Sequence, residues 1–463
     1  MLRHAKIYVV LSLVLHSGLS FALDITIPPS LQDKVTVSVY NDSTRQTVYS
    51  YQPNKPMLIA SNMKLVTSYV ALKNLGANFQ WKTTLGYSGE IRDHVLNGNL
   101  YLIGGGDPTL TSANISKMLE SISSLGIYKI NGKLIYNGSI FNQNVTSSEL
   151  YPEPFAAYSV DPAGLMIDGN LSNIKIKINN GKIKLSSNIS NKYKLINQLK
   201  LAPQKYSCAD PSSFITIQPQ KNATLSLVGT IPSSCNNKNL PIYALNNHDY
   251  NITTLHSLLQ KKNLLPTKGI VEESTPLNYK LISQTNSEPL GKILVEMNQQ
   301  SNNLYAKTLL LSLGAYKSTN QQTYTEARQL YLQSLPQSQA FNIIENGAGL
   351  SRNEQMTASQ IINILNELYL SPESQIIISS LPSPMQSGTL QNEFTNFKNR
   401  LYAKTGSLSD TKAYSGYFFS KNGNTYSISF IANNIGGKNH DQLLQDFKTL
   451  VANILTSLDN AKK

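Results

Sequence analysis

Pieces of one sheet stand at opposite ends of this chain, and that separation constrains the fold more than any other feature of the sequence. Near the start, residues 35–40 alternate apolar and polar side chains, Asn41-Asp42-Ser43 turns, and residues 47–51 return. Residues 62–75 then place Leu65, Val66, Tyr69, Val70 and Leu72 at helical spacing, closed by Gly76, which predicts an amphipathic helix. At the far end, residues 402–408 and 413–419 read as strands, and Lys421-Asn422-Gly423-Asn424 turns into a third at 426–433. A last amphipathic helix over 441–458 lacks the Lys/Arg-rich face of a membrane-lying helix, so it is expected to bury against the sheet. Between these ends the texture changes. Residues 165–245 are short alternating strands such as Ile174-Lys175-Ile176-Lys177-Ile178, followed by the turn Asn179-Asn180-Gly181. The prediction is an α+β chain: an antiparallel sheet flanked by helices, with two smaller inserted domains, the inner one β-rich. The boundaries fall at 23–80 plus 275–463 for the sheet domain, 81–165 plus 243–274 for the outer insertion and 166–242 for the inner.

The first 22 residues belong to neither. Arg3 and Lys6 precede an apolar run over 7–15, and Ser20-Phe21-Ala22 follows, which are the three parts of a secretory signal peptide. Cleavage after Ala22 leaves 441 of the 463 residues and lowers the formal charge from +13 to +11. No second run of membrane-spanning length follows, so no transmembrane anchor is expected after cleavage, which leaves room for peripheral membrane contact. Export makes a disulfide the default for the two cysteines, Cys208 and Cys235. Two cysteines and six histidines are too few for a multi-ligand zinc fold, and a basic charge on an exported protein lacking aromatic–basic interleaving does not point to nucleic acid.

The scarcity of histidine also narrows the chemistry. No G-x-S-x-G elbow and no H-E-x-x-H motif occurs. Gly104-Gly105-Gly106-Asp107 lacks both the lysine of a phosphate loop and a G-x-G-x-x-G frame, and reads as a tight turn. A serine nucleophile without histidine needs another base, and lysine serves where burial and neighbouring positive charge depress its pKa. S-x-x-K occurs three times, at Ser61–Lys64, Ser172–Lys175 and Ser409–Lys412. Only Ser61 opens a predicted helix, where positions i and i+3 share a face. Ser172 starts a strand, where they point to opposite faces, and Ser409 lies in a turn. Ser301-Asn302-Asn303 precedes a helix predicted over 304–313. Lys404-Thr405-Gly406 lies on a strand, its glycine read as letting a ligand backbone approach the edge and its Lys and Thr as holding a carboxylate. Each triplet alone is commonplace, but the order S-x-x-K, S-x-N, K-T-G on helix, loop and strand favours a functional reading.

On these motifs the chain resembles the penicillin-binding proteins. The 237 positions between Lys64 and Ser301, with Gly98-Asn99-Leu100-Tyr101-Leu102-Ile103-Gly104-Gly105-Gly106-Asp107-Pro108-Thr109-Leu110 and Gly347-Ala348-Gly349-Leu350-Ser351-Arg352, are similar to the D-alanyl-D-alanine carboxypeptidase/endopeptidases of peptidase family S13 (penicillin-binding protein 4 type). The resemblance implies a penicillin-recognising serine transpeptidase-like domain and a D-Ala-D-Ala carboxypeptidase, with DD-endopeptidase activity open, acting on peptidoglycan stem peptides in the periplasm. β-Lactams would be covalent inhibitors, and no metal or organic cofactor is implied. Ser61 is then the acylated nucleophile, Lys64 its base, Ser301 the relay to the leaving amine and Asn303 the residue that positions Lys64 and substrate. Lys404 and Thr405 would bind the terminal carboxylate, and the backbone N–H groups of Ser61 and Ser407 the oxyanion. Arg352 stands where the family recognises the free end of a diaminopimelate side chain. Glu153 and Tyr158 stand where it can have an acid and an aromatic, and Ser409 where some members have Gln. The alternatives are a β-lactamase or esterase on the same fold and a non-catalytic peptidoglycan-binding protein.

Overall fold

A computed structural model describes residues 23, 25–141, 153–187, 189, 192–203, 207–208, 210–276, 278–317, 323–336 and 344–461. The signal segment proposed for residues 1–22 lies outside the described residues. Its central layer is a five-stranded antiparallel sheet in the order Leu401–Leu408, Thr411–Phe419, Thr425–Asn433, Val35–Asn41, Gln46–Tyr51. The N-terminal hairpin thus docks on the C-terminal meander, Val35 opposite Ala432 and Asn41 opposite Tyr426.

The two faces of this sheet carry different residues because they meet different layers. Along Thr425–Asn433, Tyr426, Ile428, Phe430 and Ala432 face the last helix, His440–Asn460, which offers Phe447, Leu450, Val451, Ile454, Leu455 and Leu458 at i, i+3, i+4, i+7, i+8, i+11. On the other face stand Ser427, Ser429 and Ile431, small enough for a helix terminus to approach. Ser429 Oγ lies 3.1 Å from Ser415 Oγ, which accepts a 2.9 Å hydrogen bond from Asn62 Nδ2.

Asn62 immediately precedes the helix Met63–Leu75, and here the structure departs from the predicted amphipathic pattern. Residues 63–72 are buried on every side. The sheet covers one flank, and the helices Leu290–Gln299, Asn303–Lys317, Thr323–Ser334 and Ala358–Leu370 cover the rest. Polar residues in such a helix must find partners. Thr67 Oγ1 donates to Gly347 O at 2.6 Å and Ser68 Oγ to Lys64 O at 2.7 Å.

The inserted part holds a second five-stranded sheet, Ile270–Glu272, Leu134–Asn137, Leu100–Ile103, Lys82–Tyr87, Lys280–Asn286, and two three-stranded sheets within residues 172–242. The strand Lys280–Asn286 lies beyond the boundary expected at 275. It pairs antiparallel with Lys82–Tyr87, so the chain leaves the second sheet only after Asn286. Its alternating polar residues gave no sign of that partner. Cys208 and Cys235 are disulfide-bonded within the inner stretch.

Candidate active site

Ser61 sits in the tight turn Ala60–Asn62 that feeds the buried helix. Two glycines from distant parts of the chain clamp this turn. A Cβ on Gly349 would stand 1.8 Å from Ala60 O, and one on Gly406 would stand 2.5 Å from Ile59 O. Ala60 itself takes a left-handed φ of 48°, an uncommon conformation for alanine that the surrounding contacts hold. Gly406 therefore does something other than admit a ligand, as its place in K-T-G suggested. It lets the edge strand Leu401–Leu408 lie against the serine turn.

One turn along the helix, Lys64 is completely buried. Its Nζ lies 2.7 Å from Asn303 Oδ1, 2.7 Å from Ala348 O and 3.0 Å from Ser61 Oγ. Desolvation pushes its pKa well down, the Lys404 charge adds to the effect, Glu354 opposes it and Lys307 reinforces it. A neutral amine has two N–H donors and one lone pair. As an ammonium Lys64 donates to Ser61 Oγ as well; in the neutral form, with the two donors directed to Asn303 Oδ1 and Ala348 O, the lone pair faces Ser61 and can take its hydroxyl proton.

Ser301 lies just before the helix Asn303–Lys317 with a left-handed φ of 55°. Lys404 Nζ donates to Ser301 Oγ at 3.0 Å and to Thr405 O at 2.8 Å, which leaves its third proton for a ligand. Burial, with the Lys412 charge added, lowers its pKa to about 7. Thr405 Oγ1 donates to Thr389 Oγ1 at 2.6 Å. Ala403 N–H points off the open edge of the sheet to Pro382 O at 3.0 Å. By strand alternation the N–H groups of Thr405 and Ser407 face the same edge.

Ser61, Ser301, Asn303, Ser407, Tyr158 and Arg352 share a cleft of about 440 Å³. A neighbouring chamber of about 380 Å³ shares Tyr158, Ser301 and Asn303 with it and is also lined by Glu153. Tyr158 Oη donates to Glu153 Oε2 at 3.1 Å, and burial together with that carboxylate raises the phenol pKa to about 12. Arg352 does not present a bare guanidinium to the cleft. Its Nη1 pairs with Asp410 Oδ1 at 2.6 Å and its Nη2 donates to Ser409 Oγ at 2.9 Å. The three motifs and these flanking residues thus converge, whereas Cys208 and Cys235 belong to the inserted β-rich part.

Three participants were not found from sequence. Ala348 contributes a carbonyl, which no side-chain motif encodes. Glu354, 1% exposed, accepts from Glu345 N at 2.7 Å and Asn346 N at 3.0 Å, and so holds the loop that carries Ala348. Lys307, 0% exposed, donates to Val160 O at 2.8 Å and lies 3.7 Å from Asp161. A lysine inside the apolar run 304–313 was a readable signal of a buried, partnered charge.

A D-alanyl-D-alanine carboxypeptidase of Actinomadura sp. (strain R39) is 25% identical over 423 residues, covering 84% of this chain and 76% of that protein. The crystal structure of penicillin binding protein 4 (dacB) from Haemophilus influenzae superposes with a TM-score of 0.75 at 21% identity, covering 93% of this chain and 98% of that one. A penicillin G-acylated predatory endopeptidase from Bdellovibrio bacteriovorus, in complex with its immunity protein, gives a TM-score of 0.51 at 16% identity over 92% of this chain and 93% of that one. The fold is therefore the α+β penicillin-binding fold. Residues 22–454 match the model of the D-Ala-D-Ala carboxypeptidase 3 (S13) family, and it is to this family that the chain belongs.

Proposed function

We propose that the protein is a serine-type D-Ala-D-Ala carboxypeptidase acting on peptidoglycan stem peptides through an acyl-enzyme on Ser61. The observation that carries this reading is the buried Lys64 amine, whose Nζ lies 3.0 Å from Ser61 Oγ and has two carbonyl acceptors for its other protons. Lys64 takes the Ser61 proton as Oγ attacks the carbonyl between the two D-alanines. The N–H groups of Ser61 and Ser407 receive the oxyanion, and loss of one such donor typically costs about 10²–10³ in rate. Lys404 and Thr405 hold the terminal carboxylate, Asn303 positions substrate and amine, and Ser301 passes a proton to the departing D-Ala nitrogen. Water then attacks the ester, Lys64 takes its proton and hands it to Ser61 Oγ as the acyl–oxygen bond breaks, so the serine hydroxyl and the neutral amine are both restored.

β-Lactams acylate the same serine. Fast hydrolysis of that adduct needs an additional base, and among the described residues no carboxylate lines the Ser61 cleft, which supports a penicillin-binding protein over a β-lactamase. DD-endopeptidase activity is part of the same proposal. Tyr158, Glu153 and Arg352 form the wall against which the remainder of the stem peptide lies, with Arg352 acting through its Asp410-paired guanidinium. The basic head and apolar run of residues 1–22 support export to the periplasm, and no helix of the described residues is long and apolar enough to cross a membrane.

Incubation with a fluorescent penicillin tests the chemistry. We expect a long-lived covalent adduct that Ser61→Ala abolishes, together with D-Ala release from a pentapeptide. Absence of an adduct on the unaltered protein overturns the reading.

A further inference from the structure

The positive charge of this protein is concentrated in one place. Residues 166–242 contain ten lysines against two aspartates, with no arginine or glutamate, a net +8 out of the chain's +13. Four of these lysines stand on one sheet face. Along Ser172–Asn179 exposure alternates, with Ile174 and Ile176 buried while Lys175 and Lys177 point to solvent. Its neighbour Lys182–Ser187 repeats the pattern with Lys182 and Lys184 outward. The register sets Lys177 directly opposite Lys184, Lys182 opposite Asn179, and Lys175 between Ser186 and Asn239.

Directly paired residues on one face hold their Cβ atoms about 4.5–5.5 Å apart, and like charges there are destabilising. Nothing in the packing of the sheet calls for them. Among the described residues, none of the four lysines has an ion-pair partner. The other outward residues on these strands, Asn173, Asn179, Ser186 and Asn239, are polar and uncharged.

We propose that this face is a docking surface for a linear, phosphate-bearing polymer. Lysines act on phosphate as point charges, and four amines on one face can each meet a phosphate along such a chain. The face has no aromatic or large apolar side chain to enter a lipid interface, which argues against a bilayer, and no aromatic on which a base would stack, which argues against single-stranded nucleic acid. The surface would hold the enzyme against a polyanion independently of the chemistry at Ser61.

The test is binding of the purified protein to long-chain inorganic polyphosphate at 50 and 200 mM salt. Neutralising four phosphates releases counterions, so affinity should fall about 50–150-fold between the two salt concentrations. The combined Lys175→Ser, Lys177→Ser, Lys182→Ser and Lys184→Ser variant should bind at least tenfold more weakly at 50 mM with a shallower salt slope. Its far-UV circular dichroism and denaturant midpoint should match the parent, which reports that the inserted sheets are folded, and its labelling by fluorescent penicillin should be unchanged. The proposal is overturned if that variant binds polyphosphate like the parent. It is equally overturned if replacing the exposed Lys117, Lys129, Lys268 and Lys398 weakens binding as much. Preferential binding, at equal anionic charge, to phosphatidylcholine/phosphatidylglycerol vesicles or to a single-stranded oligonucleotide also overturns it.

Discussion

Lys64 and Lys404 are both fully buried amines, yet their surroundings fit them to opposite tasks. Lys64 has carbonyl acceptors for two protons and a hydroxyl at its lone pair, so its neutral form is the useful one. Lys404 keeps a proton available for an anion, so its charged form is the useful one. With its pKa lowered to about 7, free Lys404 loses charge as pH rises through that value. Affinity for peptides ending in a free carboxylate should therefore decline above about pH 7, while that for the C-terminal amides should not, as KM measured across pH would show. Lys307 supplies a second check. Its own pKa, lowered by burial to about 8, keeps it charged in acid, where it depresses Lys64. Lys307→Met should raise the Lys64 pKa and move the acid limb of β-lactam acylation upward by about half a pH unit. A downward movement would contradict that assignment. S-x-x-K, S-x-N and K-T-G were legible because side chains fixed on one local element announce themselves. The carbonyl of Ala348 and the carboxylate of Glu354 were not, since their roles exist only after residues 64 and 348 have been brought together.

At the level of elements, period-2 patterns located the hairpin and the C-terminal meander to within two residues, because both strands of each pair are adjacent in sequence. The strand Lys280–Asn286 escaped assignment to the second sheet because its partner lies about 200 residues upstream. The helix Met63–Leu75 was misread as half-exposed for a similar reason: the helices that cover its outer flank come from residues 290–370. Close approach is the other thing a pattern does not reveal. Gly349, at φ 81°, has Ala60 O where a side chain would go. Gly349→Ala should lower unfolding free energy by about 2–4 kcal/mol and depress Ser61 acylation. Gly181, also left-handed at φ 75° but facing open space, provides the control. Gly181→Ala should cost only about 1 kcal/mol and leave acylation intact. Parallel denaturant titrations of the two variants make the comparison.

On the scale of the whole molecule, the inserted sheets and the catalytic sheet rest on largely separate cores. The disulfide spans 27 positions in the inserted part, and the chain-entropy relation assigns such a loop about 3–4 kcal/mol. Replacing Cys208 and Cys235 by serine should destabilise that part by about this amount in a denaturant titration while penicillin still acylates Ser61. Simultaneous loss of acylation and stability would instead mean that the parts unfold as one. The pairing of Val35–Asn41 with Thr425–Asn433 carries a further consequence, for the order in which a working molecule comes into being. A chain emerging from its N-terminus presents Ser61 and Lys64 early, but the strand that lies against their turn, and the neighbour on which the first hairpin docks, are made more than 300 residues later. The inserted sheets can close in the interim, since their partners are already present. The nucleophile thus waits, chemically complete in sequence and unassembled in space, until the end of synthesis, so a prematurely terminated product is a peptide with a serine and a lysine rather than an acylating enzyme.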